Sequence, residues 1–332
     1  MALLLPADRQ AEAQVFPLSD SPGNRQRLES SVQYVMSLTE QQVIDMVPAE
    51  SGGIFFTSCP NCNYGAEEGG CFGETWDPRR PKQTVCRGCG ETYPNNPKYP
   101  DNQFIEVDAP GGQKHRFYYY ERPDGYRYFF RPHADYWARQ YLEARARDLG
   151  DLYRLTRDDR YARRAAVILN RFAEVYPGYA YKFDYPFQQK IFVPYTHNRI
   201  PGVGDYRTSR WTWWAYSDIS LDLLRAYDGI REWPGWGTFA DGKARQRIEN
   251  DLFTGMVEFA LGHADDLGNM SMYLWRCAIT AGRVLGRPQW VHECVRRYQR
   301  LLATRFLYDG HWMETADAYA EQTQRGLQIV ME

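Results

Sequence analysis

Apolar residues recur at helical spacing through most of the chain, and this pattern limits the fold more than any other feature. From about residue 132 onward, stripes at i, i+3, i+4 and i+7 predict amphipathic helices separated by short turns. One stripe begins at Tyr161 and stops at Pro177, and another begins at Leu274 and stops at Gly286. Helices joined by short turns pack as antiparallel hairpins, so the sequence predicts a mainly α fold.

Composition divides the chain into three predicted domains. Residues 1–50 form a leader with short helices, the second of them capped by the segment 37–40. Residues 51–131 are rich in Cys, Pro, Gly and aromatic runs. Asp124-Gly125 lies between two of these runs and predicts a β-hairpin within a small β-rich module. Residues 132–332 form the helical domain.

The charge balance excludes some classes of partner. The formal net charge is −2, so the chain lacks the broad basic field of a nucleic-acid-binding protein, and no nucleic acid partner is expected. Aromatic residues make up 15% of the chain, and only six of its 40 basic residues are Lys. Arginine and aromatic side chains suit planar stacking and forked binding of carboxylate or sulfate groups.

No apolar run approaches the ~18 residues of a membrane span, and no signal peptide is predicted at the N-terminus.

Two CxxC pairs carry the most specific motif of the sequence. Cys59 and Cys62 form the first pair, and Cys86 and Cys89 form the second, 23 residues further on. Each tight turn presents two thiolates, and two such turns complete a tetrahedral Zn²⁺ site. Four Cys ligands leave no position for water, so the predicted Zn²⁺ is structural and no catalytic cofactor is expected. Redox pairs or disulfides are the alternative, and Cys71 is interpreted as a spare thiol.

The helical part contains a pair of motifs typical of a site. Asn269 opens one predicted helix, and a Gly-containing turn about 40 residues later leads into another. The second motif contains Asp309, Gly310, Glu314, Tyr319 and Gln322. Over residues 132–332 the chain resembles the heparinase II/III-like polysaccharide lyases. The resemblance implies an incomplete (α/α) toroid of helical hairpins that a β-sandwich domain follows. A zinc-ribbon-like module is not part of that family's common core.

The last predicted helix begins near Glu314 and is still running at residues 330–332, with no Gly, Asn or Pro to end it. The sequence is therefore expected to be part of a longer protein, one that includes the β-sandwich.

The resemblance also implies a reaction, cleavage of a uronic-acid polysaccharide by β-elimination. The proton at C5 becomes acidic only when neutral or positive donors hold the neighbouring carboxylate, and Asn269 is the expected donor, assisted by Gln322 or Arg325. Tyr319 is the expected base, acid or both. Family members often have His directly after the Asn, where this chain has Met270. His263 and His311 are the nearest candidates in sequence for that role.

Other residues are candidates for binding an acidic polysaccharide. Trp211, Trp213 and Trp214 lie at the end of a long aromatic-rich insertion and suit stacking against sugar rings, although helix packing explains at least one of them equally well. His197 lies in the same insertion and is a candidate to line a cleft. Glu314 is a further candidate for substrate binding. Alternatively, it is an acid that interacts with a helix dipole. The resemblance implies a periplasmic or extracellular protein, whereas the oligomeric state is not predicted.

Two other functions stay open at this point. A glycoside hydrolase on the same toroid needs two opposed carboxylates about 5–9.5 Å apart, for which Asp205, Asp218, Asp265 and Asp266 are available. A non-catalytic protein would use the ribbon for recognition of glycan or nucleic acid, although the basic residues of the ribbon are few. They are Arg79, Arg80, Lys82 and Arg87.

Overall fold

The fold is mainly α-helical, as the periodicity predicts. A computed structural model describes residues 15–55, 57–65, 74–184, 187, 205–264, 267–314 and 316–331. His197, Cys71, Asp265 and Asp266 lie outside these ranges. Within them, every helix is too short or too polar to cross a lipid bilayer.

The helices are α1 (Pro22–Ser37), α2 (Glu40–Met46), α3 (Phe130–Thr156), α4 (Asp159–Val175), α5 (Leu221–Ile230), α6 (Ala244–Arg247), α7 (Gly255–His263), α8 (Ser271–Leu285), α9 (Pro288–Thr304) and α10 (Asp317–Met331). A π-helical segment, Ile248–Thr254, joins α6 to α7. The strands are β1 (Glu74–Trp76), β2 (Thr84–Cys86), β3 (Thr92–Tyr93), β4 (Gln103–Ala109), β5 (Gln113–Glu121), β6 (Arg127–Tyr128), β7 (Lys182–Phe183) and β8 (Thr208–Ser209).

The two N-terminal helices cover the helical domain. Thr39 and Gln42 form a reciprocal capping box at the start of α2, which confirms the predicted cap. Helix α1 packs against α3, and α2 packs against α4, through buried residues such as Leu28 and Val43. The domain boundary at residue 50 stays a prediction.

The segment before α3 forms small antiparallel sheets. Strands β1, β2 and β3 make one sheet, and β4, β5 and β6 make another. The predicted hairpin around Gly125 is present between β5 and β6. Its second strand is shorter than the aromatic run suggests, because Phe130 already begins α3, two residues before the predicted start of the helical domain. Phe130 is fully buried against Tyr93 and belongs to the core of the ribbon.

Two groups of helices build the core. In the first, the long helix α3 packs against α4 and α5. In the second, α8 packs against α9 and α10, and a contact between α5 and α8 joins the groups. Gly286 ends α8 in the left-handed conformation and Pro288 opens α9, as predicted. The arrangement of helical hairpins is thus present, whereas their closure into a toroid stays a prediction.

Helix α10 begins three residues later than the sequence predicts. Glu314 lies outside the helix, and its carboxylate accepts a hydrogen bond from the indole Nε1 of Trp312 at 2.6 Å. Trp312 is buried, and it pairs with Phe306 in an isolated bridge across the turn. Glu314 therefore closes this turn, and its roles as a substrate ligand or as an acid near the helix dipole stay predictions.

Gly150 sets the distance between α3 and α5. A Cβ atom at Gly150 would lie 2.8 Å from the Cα and carbonyl oxygen of Ala226, so the helix backbones touch at this point. Gly150→Ala should destabilise the protein by about 1–3 kcal/mol, because neither backbone can yield without separating the helices. The midpoint of denaturant unfolding measures this loss.

Gly262→Ala is the matched control, because this helical glycine has open space around it. That variant should be neutral or gain up to ~1 kcal/mol from helix propensity. Equal midpoints for the two variants would contradict the close packing of α3 against α5.

Candidate functional site

The turn before α8 meets α10 at a pair of side-chain amides. The Nδ2 of Asn269 donates to the Oε1 of Gln322 at 3.4 Å, and the Nε2 of Gln322 lies 3.4 Å from the Sδ of Met270. Asn269 lies two residues before α8 begins, and its side chain, like that of Gln322, is half-buried. The structure thus brings together two residues that are 53 positions apart and that the sequence predicts to share a site.

A glycine allows this approach. A Cβ atom at Gly326 would lie 3.0 Å from the Cβ of Met272, so α10 packs closely on the first turn of α8. Gln322 lies one turn before Gly326 on α10 and is therefore held near the turn that carries Asn269. Packing between rigid helices positions a site more accurately than a loop does.

Tyr319 and Arg325 flank Gln322 on α10. Residues three apart on a helix are neighbours, so each of these two side chains lies next to that of Gln322. Tyr319 is 47% exposed, which leaves its hydroxyl accessible from solvent. Arg325 is exposed and forms an ion pair with Glu321 on its own helix. Helix α10 therefore presents an exposed phenol and an exposed guanidinium on either side of the Gln322 amide.

The two candidate histidines have different surroundings. His263 is the last residue of α7, where its Nδ1 lies 2.8 Å from the carbonyl oxygen of Phe259 and its ring stacks on that phenyl ring at 4.1 Å. Its Nε2 is the nitrogen that this contact leaves for other partners. His311 is exposed in the turn before α10, and its backbone N–H donates to Asp309. His263 precedes Asn269 by six residues and is the nearer of the two along the chain.

Of the three predicted platform tryptophans, two are partly exposed. Trp213 and Trp214 stack with ring centres 4.3 Å apart and both are half-buried. The Nε1 of Trp214 donates to the Oδ2 of Asp184 at 2.8 Å, which fixes its orientation. Trp211 is a core residue, since it is 1% exposed and its Nε1 donates to Glu143, so its interpretation as a sugar platform is wrong.

The segment after the tryptophan pair contacts the two helices that the Asn269 turn connects. The residues that directly follow Trp214, Ala215–Ser217, pack against both α7 and α8. His263 is the last residue of α7, and Asn269 lies two residues before α8 begins.

A buried amine lies beside the tryptophan pair, and no sequence pattern predicts it. Lys182 is 2% exposed, and its Nζ donates to the carbonyl oxygen of Gly53 at 2.7 Å. Burial lowers the pKa of Lys182 to about 7. Lys182, Asp184 and Trp213 line one small cleft. Lysine in a two-residue strand is usually exposed, so sequence reasoning places it at the surface.

Asp218 is unsuited to the role of a catalytic carboxylate. It is fully buried and accepts hydrogen bonds from the Ser209 hydroxyl at 2.5 Å and from the backbone N–H groups of residues 210–212. Burial raises the pKa of Asp218, and these donors oppose the change. A carboxylate that is enclosed by the segment it organises has a structural function, which removes one candidate of the glycoside hydrolase interpretation.

The four cysteines of the two CxxC pairs converge. The sulfur atoms of Cys59, Cys62, Cys86 and Cys89 all lie within 4.8 Å of one another. Sγ of Cys59 is 3.6 Å from Sγ of Cys89, and the same distance separates Cys62 from Cys86. Zn–S bonds of ~2.3 Å in a tetrahedron place sulfur atoms about 3.8 Å apart, so the cluster fits a metal of that size.

The protonation of the cluster is compatible with a thiolate ligand set. Burial raises the pKa of the Cys59 thiol. Burial acts in the same direction on Cys89, but hydrogen bonds, first that with the Asn61 side chain, lower its pKa to about 7. One thiolate therefore forms near neutral pH, and a bound cation would stabilise the remaining three. The cluster can hold a structural metal, and zinc is our proposal for it.

The remaining described cysteines lie on helices outside the cluster. Cys294 is fully buried on α9, and burial raises its pKa to about 12. Burial has the same effect on Cys277, on α8. A thiol with so high a pKa is a poor nucleophile, so neither residue is a candidate for chemistry.

Comparison with solved structures gives a distant likeness. No protein-family model matches the sequence, and no curated protein is significantly similar to it. Among solved structures, the chain is similar to a variant of alginate lyase A1-III complexed with a tetrasaccharide, at a TM-score of 0.38 and 14% identity. The match covers 57% of this chain and 50% of that chain, so this chain spans about half the length of that enzyme. A likeness at this level assigns no activity to the present chain.

Purified protein should contain one tightly bound metal ion per chain. Cys59→Ser should lose the ion and lower the thermal midpoint, because a module with a small core depends on its metal to fold. Elemental analysis after dialysis measures the metal, and circular dichroism measures the midpoint. Cys294→Ala, which removes a thiol outside the cluster, should retain the ion. A midpoint that a chelator leaves unchanged would argue against a structural metal.

The buried amine predicts a pH dependence of stability. An unfolded lysine keeps its proton up to pH ~10.4, whereas folded Lys182 loses it near pH 7, so the unfolded chain binds more protons between these values. The free energy of unfolding should therefore rise with pH in this window, by up to ~1.4 kcal/mol per pH unit relative to Lys182→Met. Urea titrations at several pH values measure the difference. The exposed Lys243→Met should follow the wild type, and parallel curves for Lys182→Met would refute the shift.

Proposed function

We propose that this chain cleaves a uronic-acid-containing polysaccharide by β-elimination at the surface formed by the turn before α8 and by α10. The observation that carries the proposal is the contact between Asn269 and Gln322, beside which Tyr319 is exposed. Neutral amide donors and an accessible phenol are the groups that this reaction needs, and here they come from separate elements.

The amides would bind the uronate carboxylate. Proton loss from C5 places negative charge on that carboxylate, and donors aimed at it stabilise the charge as it develops. Asn269 and Gln322 can each turn an N–H group toward an incoming oxygen, because their mutual hydrogen bond of 3.4 Å is long and easily exchanged. Arg325 can reach the same carboxylate as a charged donor if it releases Glu321. An exposed ion pair of this kind costs little to break.

Tyr319 would move the proton. As a phenolate it takes the C5 proton, the electron pair of that C–H bond forms the C4–C5 double bond, and the C4–O glycosidic bond breaks. The leaving oxygen then takes the proton back from Tyr319, which restores the phenolate and balances the reaction. His263 is a second candidate proton donor, through the ring nitrogen that does not contact Phe259.

The tryptophan pair would position the polymer. Trp213 and Trp214 offer stacked, half-buried indole rings, and the hydrogen bond to Asp184 prevents Trp214 from turning away. The faces of sugar rings pack well on indole. The residues after the pair contact α7 and α8, the helices that border the Asn269 turn, so a polymer on the indoles would lie beside the same group of helices.

Tyr319→Phe tests the proposal on a panel of uronate polymers such as alginate and heparan sulfate. Wild-type protein should generate an unsaturated product that absorbs in the ultraviolet, and the variant should lose about 10²–10⁴-fold in kcat. Tyr64→Phe is the matched control, because Tyr64 lies in the ribbon and is 46% exposed, close to the 47% of Tyr319. This control should keep the wild-type rate.

Two results would contradict the proposal. Full activity of Tyr319→Phe would exclude this tyrosine from the chemistry. New reducing ends without ultraviolet absorbance would show hydrolysis in place of elimination, and absence of both products on every polymer would remove the proposed activity.

A further inference from the structure

We infer that the groove between the ribbon, the β4–β5 hairpin and the start of α3 is a second binding site for an acidic polysaccharide chain. The groove has a volume of about 560 Å³, within the range of ligand sites. The class of ligand rests on the proposed function, whereas the groove is an independent feature of the structure. None of the residues that line it belongs to the site around Asn269.

The hairpin provides one wall through its exposed face. Alternate residues of β5 point to the same side, and Lys114, Arg116 and Tyr118 are all exposed there. The opposite face of β5 carries the buried residues Phe117 and Tyr119. The hairpin therefore has one face in the core and one face that presents two cations and a phenol.

The other wall joins the ribbon to α3. Lys82 and Asn95 come from the ribbon, and Arg131 and Asp135 come from the first turns of α3. The two elements are connected within this wall, since the Nζ of Lys82 lies 2.9 Å from Asp135 and Arg131 donates to the Oδ1 of Asn95 at 3.2 Å. The wall is thus held in place by contacts between modules.

The cations of the groove face solvent more than their partners do. Lys114 and Lys82 are each 59% exposed, whereas the carboxylates they contact, Glu106 and Asp135, are each 31% exposed. The difference is largest for Arg131, at 52%, against 7% for Asp101. An incoming anion therefore meets ammonium and guanidinium groups first. Exposed ion pairs contribute only about 0–1 kcal/mol, so exchange of partners costs little.

Aromatic rings beside the cations suit a sugar. Phe104 lies opposite Tyr118 in the β4–β5 register, their ring centres are 5.8 Å apart, and they are 45% and 37% exposed. The guanidinium of Arg116 lies over the Phe104 ring at 4.6 Å, which holds the phenyl ring at the surface. A sugar ring can pack on this platform while its carboxylate or sulfate reaches the cations.

The acidic residues of the groove favour a sugar over a nucleic acid. Glu50 and Asp135 lie among the cations that line it. Carboxylates accept hydrogen bonds from sugar hydroxyl groups, whereas they repel phosphate groups, which offer acceptors only. A mixture of donors and acceptors therefore fits a polymer with both hydroxyl and acid groups.

Equilibrium binding of a labelled uronate hexasaccharide tests the inference in full-length Tyr319→Phe protein, where cleavage is removed. Adding Lys114→Gln and Arg116→Gln should weaken binding about tenfold or more, because charge-assisted hydrogen bonds are lost. Tyr118→Ala should weaken it through loss of stacking. The double change Arg160→Gln and Arg300→Gln is the matched control, since it removes the same charge at two exposed arginines outside the groove, and should bind normally.

Competing ligands complete the experiment. A neutral glucose hexasaccharide should bind weakly, and a sulfated hexasaccharide of the same length distinguishes sulfate from carboxylate as the preferred anion. Unchanged affinity in the groove variants, an equal loss in the control, or tighter binding of a single-stranded oligonucleotide of equal charge would overturn the inference. In cleavage assays with Tyr319 intact, the groove variants should raise KM with little change in kcat, so failure of the groove and failure of the catalytic proposal give different results.

Discussion

The buried carboxylate of Asp218 is the interaction on which the candidate site depends most. It accepts hydrogen bonds from the segment 209–212, which would otherwise be a loop with no regular structure. A buried charge is tolerated only when such donors surround it. The segment is therefore restricted to a conformation that directs these donors at the Asp218 carboxylate. That conformation directs Trp211 into the core, where it reaches Glu143 on α3, and leaves Trp213 and Trp214 at the surface. One carboxylate thus separates the structural tryptophan from the pair available for binding.

Helix packing then determines where the chemical groups meet. The glycine contact between α3 and α5 fixes one group of helices, and the contact of α5 with α8 transmits that position to the second group. At the far end, Gly326 lets α10 lie on the first turn of α8. The meeting of Asn269 and Gln322 is therefore a consequence of backbone distances in the helical core, and their side chains contribute little to the stability that places them together.

Features that depend on neighbouring residues were predictable, and features that depend on distant ones were not. The Thr39 cap, the two CxxC turns and the end of α8 at Gly286 are encoded within a few residues, and the structure contains each of them. The burial of Lys182 depends on a carbonyl group 129 residues away, and no local pattern encodes it. Likewise, the sequence predicts that α10 begins near Glu314. In the structure Glu314 accepts a hydrogen bond from Trp312 in the preceding turn, and the helix begins at Asp317.

A short series of contacts connects the ribbon to the helical domain. These contacts position the cysteine cluster and the start of α3 relative to each other. The hydroxyl of Tyr93 lies 3.2 Å from the Sγ of Cys59, and its ring stacks on Phe130 with ring centres 4.2 Å apart. Phe130 begins α3, and the next residue, Arg131, reaches into the groove. A metal that holds Cys59 would therefore also hold the first turn of α3 and one wall of the groove. On this basis a metal bound to the ribbon would shape a surface that two modules share.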